Sequence, residues 1–170
     1  MNLHVLVAVA EIVSALAVTL TLIALIVTIR QNTRSQKALV VDSLAAAITS
    51  INVPAMESPV LGSALSKATA DWGSATREER IVAHYFLFSF FKLLENARYQ
   101  QKAGILDKTH SLGWETVLRK YYHADGVRQG WWPGRKNAYS PEFQKFLSGT
   151  RSPDELGSLN ELFDHVPVDG

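Results

Sequence analysis

From Ile12 to Ile29 the chain runs for 18 residues without a charged side chain. It then turns polar at once, through Arg30, Gln31, Asn32, Thr33, Arg34, Ser35 and Gln36. As a helix the apolar run spans about 27 Å, close to the hydrocarbon thickness of a bilayer. The pattern predicts a transmembrane segment over 1–29. A secretion signal would need a basic start and a shorter apolar core, but no Lys or Arg precedes this run. The remaining alternative is a buried hairpin helix of a soluble protein.

Helical spacing continues past Arg30. Val40, Val41, Leu44, Ile48 and Ile51 recur at intervals that share one face, and Ala45 to Ala47 favour helix strongly. One long helix is expected from about residue 5 to Val53, ended by Pro54, with 30–53 as a stalk. The stalk is too apolar to be solvated all round, so something must pack on it.

Three further helix starts share a signature. Ser58-Pro59, Ser140-Pro141 and Ser152-Pro153 each place a capping hydroxyl before a proline at the first helical position. Ser152 with Glu155 has the spacing of a capping box, as does Thr76 with Glu79. The second of these opens a segment that is apolar almost all round from Ile81 to Leu94. Such a helix is buried on all sides or sits in lipid. This one is too short to cross a membrane, so it reads as the central helix of a bundle, ending at Gly104. A fourth helix is expected over about 108–123, with Trp114, Val117, Leu118 and Tyr121 on its stripe and Glu115–Arg119 as an exposed pair. Shorter helices are expected near 125–132, 140–148 and 153–164. The fold class is all-α: a single N-terminal transmembrane helix continuing into a stalk, a small helical bundle over 54–150, and a C-terminal amphipathic helix and tail over 151–170.

Charge divides the chain in the same place. Residues 1–29 hold only Glu11, whereas 30–170 hold all 17 Lys and Arg and the other 15 acids, a net of +2. That balance is wrong for nucleic-acid binding, whose footprint is a basic patch or stripe. No cysteine is present, which excludes disulfides, thiolate nucleophiles and Cys-based metal centres. Arg30, Arg34 and Lys37 follow the span, while only His4 and Glu11 precede or open it. The positive-inside bias then puts the N-terminus outside and the rest in the cytoplasm. Glu11 reads first as a carboxylate at the outer interface. The sharper alternative is an intramembrane acid facing a bundle or pore. Ala10, Ser14, Ala17 and Thr21 lie at spacings that permit close helix contact.

The stretches Ile29–Thr33 (IRQNT), Glu95–Leu106 (ENARYQQKAGIL) and Gly126–Leu147 (GVRQGWWPGRKNAYSPEFQKFL) resemble those of a widespread bacterial family of small membrane-anchored proteins. The resemblance implies a single N-terminal span in the bacterial plasma (inner) membrane and a helical domain, and no activity. The chain departs from the pattern at Pro133-Gly134, which puts in doubt whether Trp131, Trp132 and Arg135 share a face.

No chemistry announces itself. His4, His84, His110, His123 and His165 are scattered, without HExxH or Glu-x-x-His spacing. No glycine-rich phosphate loop and no G-x-S-x-G is present. No metal, cofactor or catalytic residue is therefore expected. Ser89, inside the central helix, reads as a hydroxyl bonded back to its own helix.

Two polar clusters remain. Glu95, Asn96, Arg98 and Tyr99 follow the aromatic run, and Glu95 lies one turn from Arg98 and Tyr99, on a face shared with Lys92. Polar groups so close to a core must be paired, so the first reading is a structural network. The second is a pocket with Glu95 as acid or base. Arg128, Trp131, Trp132 and Arg135 form the other cluster. Adjacent tryptophans cannot point the same way on a helix, so one is expected in the core and the other exposed beside the arginines. Trp and Arg dominate interface hot spots and also suit the membrane surface. The last helix, with Leu156, Leu159, Leu162 and Phe163, is expected to dock back on this region.

These readings favour a membrane-anchored interaction or scaffold protein that self-associates as a homo-oligomer, with the bilayer as its surroundings and no nucleic acid as partner. A closed ring would gather copies of Glu11 and raise a pore. The alternatives are a tethered ligand-binding or enzymatic domain using Glu95, Arg98 and Tyr99, and a sensor that meets a different protein partner through its Trp–Arg cluster.

Overall fold

The computed structural model describes residues 2–152, apart from the side chains of 55, 56, 110 and 111. The expected helix over 153–164, its capping box and its docking lie outside the described residues. Those described are helical with no strand, and they divide into two compact units, Met1–Val41 and Asp42 onward.

The first element, α1, spans Leu3–Glu57. Among the described residues it is the one helix long and apolar enough to cross a membrane. Every described side chain from Asn2 to Leu39 is exposed. The hydroxyls of Thr19, Thr21, Thr28 and Thr33 each donate to the carbonyl four residues earlier, at 2.8–2.9 Å. Their hydroxyls are thus satisfied inside the helix.

Pro54 does not end α1. The helix continues one more turn and closes with Ser58 N–H on the Pro54 carbonyl at 3.1 Å. A proline this close to the terminus forfeits one hydrogen bond, and the chain tolerates it. In the second unit Leu44 is buried and Ile51 packs against the main core. The partner of this part of the helix is therefore its own domain.

Next come α2 (Pro59–Ala70), capped by Ser58, and α3 (Arg77–Lys102), opened by the full Thr76–Glu79 capping box. After α3 the chain turns at Gly104, which has φ +70°, a left-handed conformation that glycine adopts without penalty. Helix α4 (Lys108–His123) is capped by Asp107, and α5 (Pro141–Ser148) by Ser140. Between them lie a π-helical turn over Gly126–Trp131 and two 3-10 turns, Trp132–Gly134 and Lys136–Ala138.

Helix α3 is central, but it is not covered on all sides. Phe86, Leu87, Phe90, Phe91 and Leu94 are buried, whereas Ile81, Tyr85 and Ser89 form an exposed strip. Those three recur every four residues, so an all-apolar run still leaves one face outside when its neighbours cover only part of the circumference. On α4, Leu118 and Tyr122 are buried, Trp114 and Tyr121 are half-buried and Val117 is exposed. The Glu115–Arg119 pair does not form. Glu115 faces Arg98 at 3.9 Å, and Arg119 donates to the Arg151 carbonyl at 2.9 Å.

A second, tighter contact joins α2 and the π turn to α3. Ala68, Ala75 and Ala83 pack together. A Cβ at Gly126 would come within 2.1 Å of the Ala68 carbonyl oxygen, and one at Gly130 within 2.2 Å of the Trp72 Cβ. Gly126 lets two backbones touch, and Gly130 makes room for the Trp72 side chain.

Candidate functional site

The candidate polar cluster lies where α3 meets the start of α5. Glu95, Asn96, Arg98 and Tyr99 all line one groove of about 380 Å³, with Ser140 on the opposite wall. The structure therefore brings the four together, but in different states. Tyr99 and Asn96 are exposed, while Glu95 and Arg98 are half-buried.

Both oxygens of Glu95 are occupied. Oε1 accepts the Ser140 backbone N–H at 2.6 Å, and Oε2 accepts the Lys92 ammonium at 2.8 Å. Lys92 also donates to the Ala138 carbonyl at 2.5 Å and lies 4.6 Å from the centre of the Tyr139 ring. The Tyr139 hydroxyl donates to the Phe88 carbonyl at 3.3 Å. Burial alone would raise the Glu95 carboxyl. The hydrogen bonds from Lys92 and Ser140 outweigh it and hold the group below its ordinary value. Burial, and then the nearby Glu95 charge, push the Tyr139 phenol well above its ordinary value. The arrangement is a clamp: one carboxylate ties α3 to the N-terminus of α5.

Arg98 points into a different setting. Its guanidinium carbon lies 3.4 Å from the centre of the Phe146 ring, and its Nε is buried without a hydrogen-bond partner. Burial lowers its affinity for the proton, and Glu115 opposes that effect. Lys102 pairs with Glu142 across the mouth of the groove.

The tryptophan cluster is divided by depth. Trp131 and Trp132 are both buried, 1% and 7% exposed, so neither is presented to a partner. The backbone passes from a π turn to a 3-10 turn between them, and both rings pack on Phe91. Trp131 packs on His84 and Phe91, and Trp132 on Tyr122 and Tyr139. Trp131 Nε1–H donates to His84 Nδ1 at 3.1 Å. Arg128 and Arg135 are exposed. Arg128 approaches His123 Nδ1 at 3.4 Å, and Arg135 lies beside His84. Ser89 is exposed rather than buried. Glu11, Arg30 and Arg34 are all exposed on α1.

Sequence reasoning missed a second cavity, of about 330 Å³, lined by Arg77, Arg80, His84, Arg135, Trp72 and Tyr85. The available signal was two arginines in the first turn of a helix, where a cation opposes the helix dipole. Among the described residues no group of three His, Asp or Glu side chains converges as a metal site. Compared with known families, curated proteins and solved structures, the chain finds no match.

Proposed function

We propose that this protein is a non-catalytic interaction module anchored in a membrane by α1 and self-associating through that helix. The observation that carries the reading is the complete exposure of the apolar side chains of residues 2–39. In water that surface is untenable, since each buried Leu, Ile or Val is worth about 1.5–3 kcal/mol. In lipid it is the expected surface.

Arg30, Arg34 and Lys37 after the span support a cytoplasmic domain and an outer N-terminus in a bacterial plasma membrane. Ala10, Ser14, Ala17 and Thr21 form the small-residue face on which copies meet. A closed ring would bring copies of Glu11 together, and the pore variant fails if Glu11→Gln leaves both assembly and ion flux unchanged.

The chain has no cysteine, so single substitutions report contacts cleanly. Oxidation of membranes carrying Ala10→Cys, Ser14→Cys, Ala17→Cys or Thr21→Cys should give cross-linked dimers. Ile12→Cys, Thr19→Cys and Ile23→Cys, on the opposite face, should not. Uniform or absent cross-linking would defeat the self-association.

One observation favours a second reading, a ligand groove beside Glu95. The groove places Tyr99 and Phe143 beside Lys92 and Lys102, a lining that suits an apolar or lipid-like molecule with a polar end. A small-molecule mass retained by the wild type and lost in Tyr99→Ala supports it. A wild type that carries no such mass removes it.

A further inference from the structure

The cavity beside the start of α3 has a composition unlike the rest of the domain surface. Three of its wall residues are the arginines Arg77, Arg80 and Arg135, and none is a carboxylate. Four other cations of the domain meet acids, Lys67 with Glu79, Lys92 with Glu95, Arg98 with Glu115 and Lys102 with Glu142, while Lys120 Nζ is buried with no hydrogen-bond partner. Among the described residues Arg77 and Arg80 have no such partner, and the hydrogen bond of Arg135 goes to its neighbour's carbonyl, Gly134, at 3.0 Å. The nearby acid Glu79 is already held by Lys67 and by the Thr76 N–H.

His84 adds a neutral donor. Indole N–H can only donate, so the Trp131 bond requires an unprotonated Nδ1. The ring proton of the neutral form then sits on Nε2, and His84 lines the cavity. Trp72 and Tyr85 supply aromatic sides.

Arg77 is the first residue of α3 and Arg80 lies in its first turn, where positive charge weakens a helix. Glu78 and Glu79 share that turn and offset the two arginines at the helix start. Guanidinium groups bind phosphate through paired N–H donors and stay charged at any physiological pH.

We propose that this cavity binds a phosphate group, gripped by Arg77, Arg80 and Arg135 with His84 Nε2–H as an additional donor. The group is carried by an anionic lipid headgroup or by a soluble phosphomonoester. This proposal does not depend on self-association of the span.

The test uses the full chain in an uncharged detergent. One arm titrates sn-glycerol 3-phosphate and follows its phosphorus resonance. The other adds phosphatidic acid or phosphatidylcholine to delipidated protein and counts retained lipid by native mass spectrometry. Arg77→Gln and Arg135→Gln, both exposed and therefore expected to keep the wild-type melting midpoint, should weaken binding by at least about tenfold each, the scale of one charge-assisted hydrogen bond. Lys145→Gln, an exposed cation outside the cavity, should change binding less than about twofold. Saturable binding of glycerol phosphate with this pattern assigns a soluble ligand. Selective retention of phosphatidic acid alone, with the same pattern, assigns a headgroup. Binding of neither probe overturns the proposal, as does equal weakening by Lys145→Gln or wild-type binding in both arginine variants.

Discussion

The two units of this chain treat apolar side chains in opposite ways. Up to Leu39 every described side chain is exposed, Leu and Val included. After Asp42 the large apolar groups converge on one aromatic core around Phe91 and Trp131. The same residue types thus mean different things. In the second unit they drive folding by leaving water. In the first they lie on a single helix that has no second element within its own unit to bury them.

The comparison can be broken most directly by truncating side chains in each unit. Phe91→Ala should remove about 3–5 kcal/mol from the domain. That shifts the melting midpoint of a domain this size by more than about 10 °C. Leu16→Ala should leave the same midpoint in place, because Leu16 has no buried contact to lose. Equal effects would mean that the span is part of the folded core.

Next in size is Gly126→Ala. Its new methyl would meet the Ala68 carbonyl oxygen, and relief requires two backbones to separate. A loss of about 3 kcal/mol is expected, at the upper end of overpacking costs, read by denaturant midpoint. An unchanged midpoint would show that α2 and the π turn are not in contact.

Smaller again is Glu95→Gln, which weakens the bonds to Lys92 and to the Ser140 N–H. The expected loss is about 1–2 kcal/mol, seen as a lowered thermal midpoint. A ligand-binding role for the carboxylate itself would instead keep the midpoint and abolish binding.

The smallest effect is that of pH. His84 is held below its ordinary 6.5 by burial and by Arg135, and by the Trp131 donor, which a protonated Nδ1 would face. His123 is lowered by burial, then Arg128 and, less, Arg119, against a hydrogen bond to Thr150. A histidine lowered in the folded state contributes stability that is complete above pH 6.5 and is lost as the pH falls toward its folded value. Glu79 and Glu95, lowered from 4.5, extend the loss at more acid pH. Melting should therefore drop by a few degrees between about pH 7.5 and about pH 5.5, with a shallower slope in His84→Gln. A midpoint that rises on acidification would contradict the buried, neutral imidazole.

Much of the helix framework was legible because its signals are local. Ser58, Thr76 and Ser140 cap the helices that their spacing announced, and the 3.6-residue period placed Leu44 and Ile51 on the face that is covered. The misreadings share a cause, since each depended on which neighbour covers a face. Pro54 reads as a stop, yet one turn of helix survives it. One of Trp131 and Trp132 reads as exposed only if 126–132 is an ordinary α-helix, whereas both are buried, and no residue in Gly126–Trp131 announces a π turn. Glu95, Asn96, Arg98 and Tyr99 were found together because they lie on consecutive turns of one helix. The Arg77–Arg80–Arg135 cavity was not, because Arg135 arrives from a segment 55 residues further on.

The central claim is that α1 brings copies of this chain together in the membrane. Native mass spectrometry of the full-length protein released from mild detergent tests it most directly. A single closed oligomeric mass is the predicted result, and its copy number would say whether a ring of Glu11 side chains exists. A monomer at every protein concentration would contradict the claim.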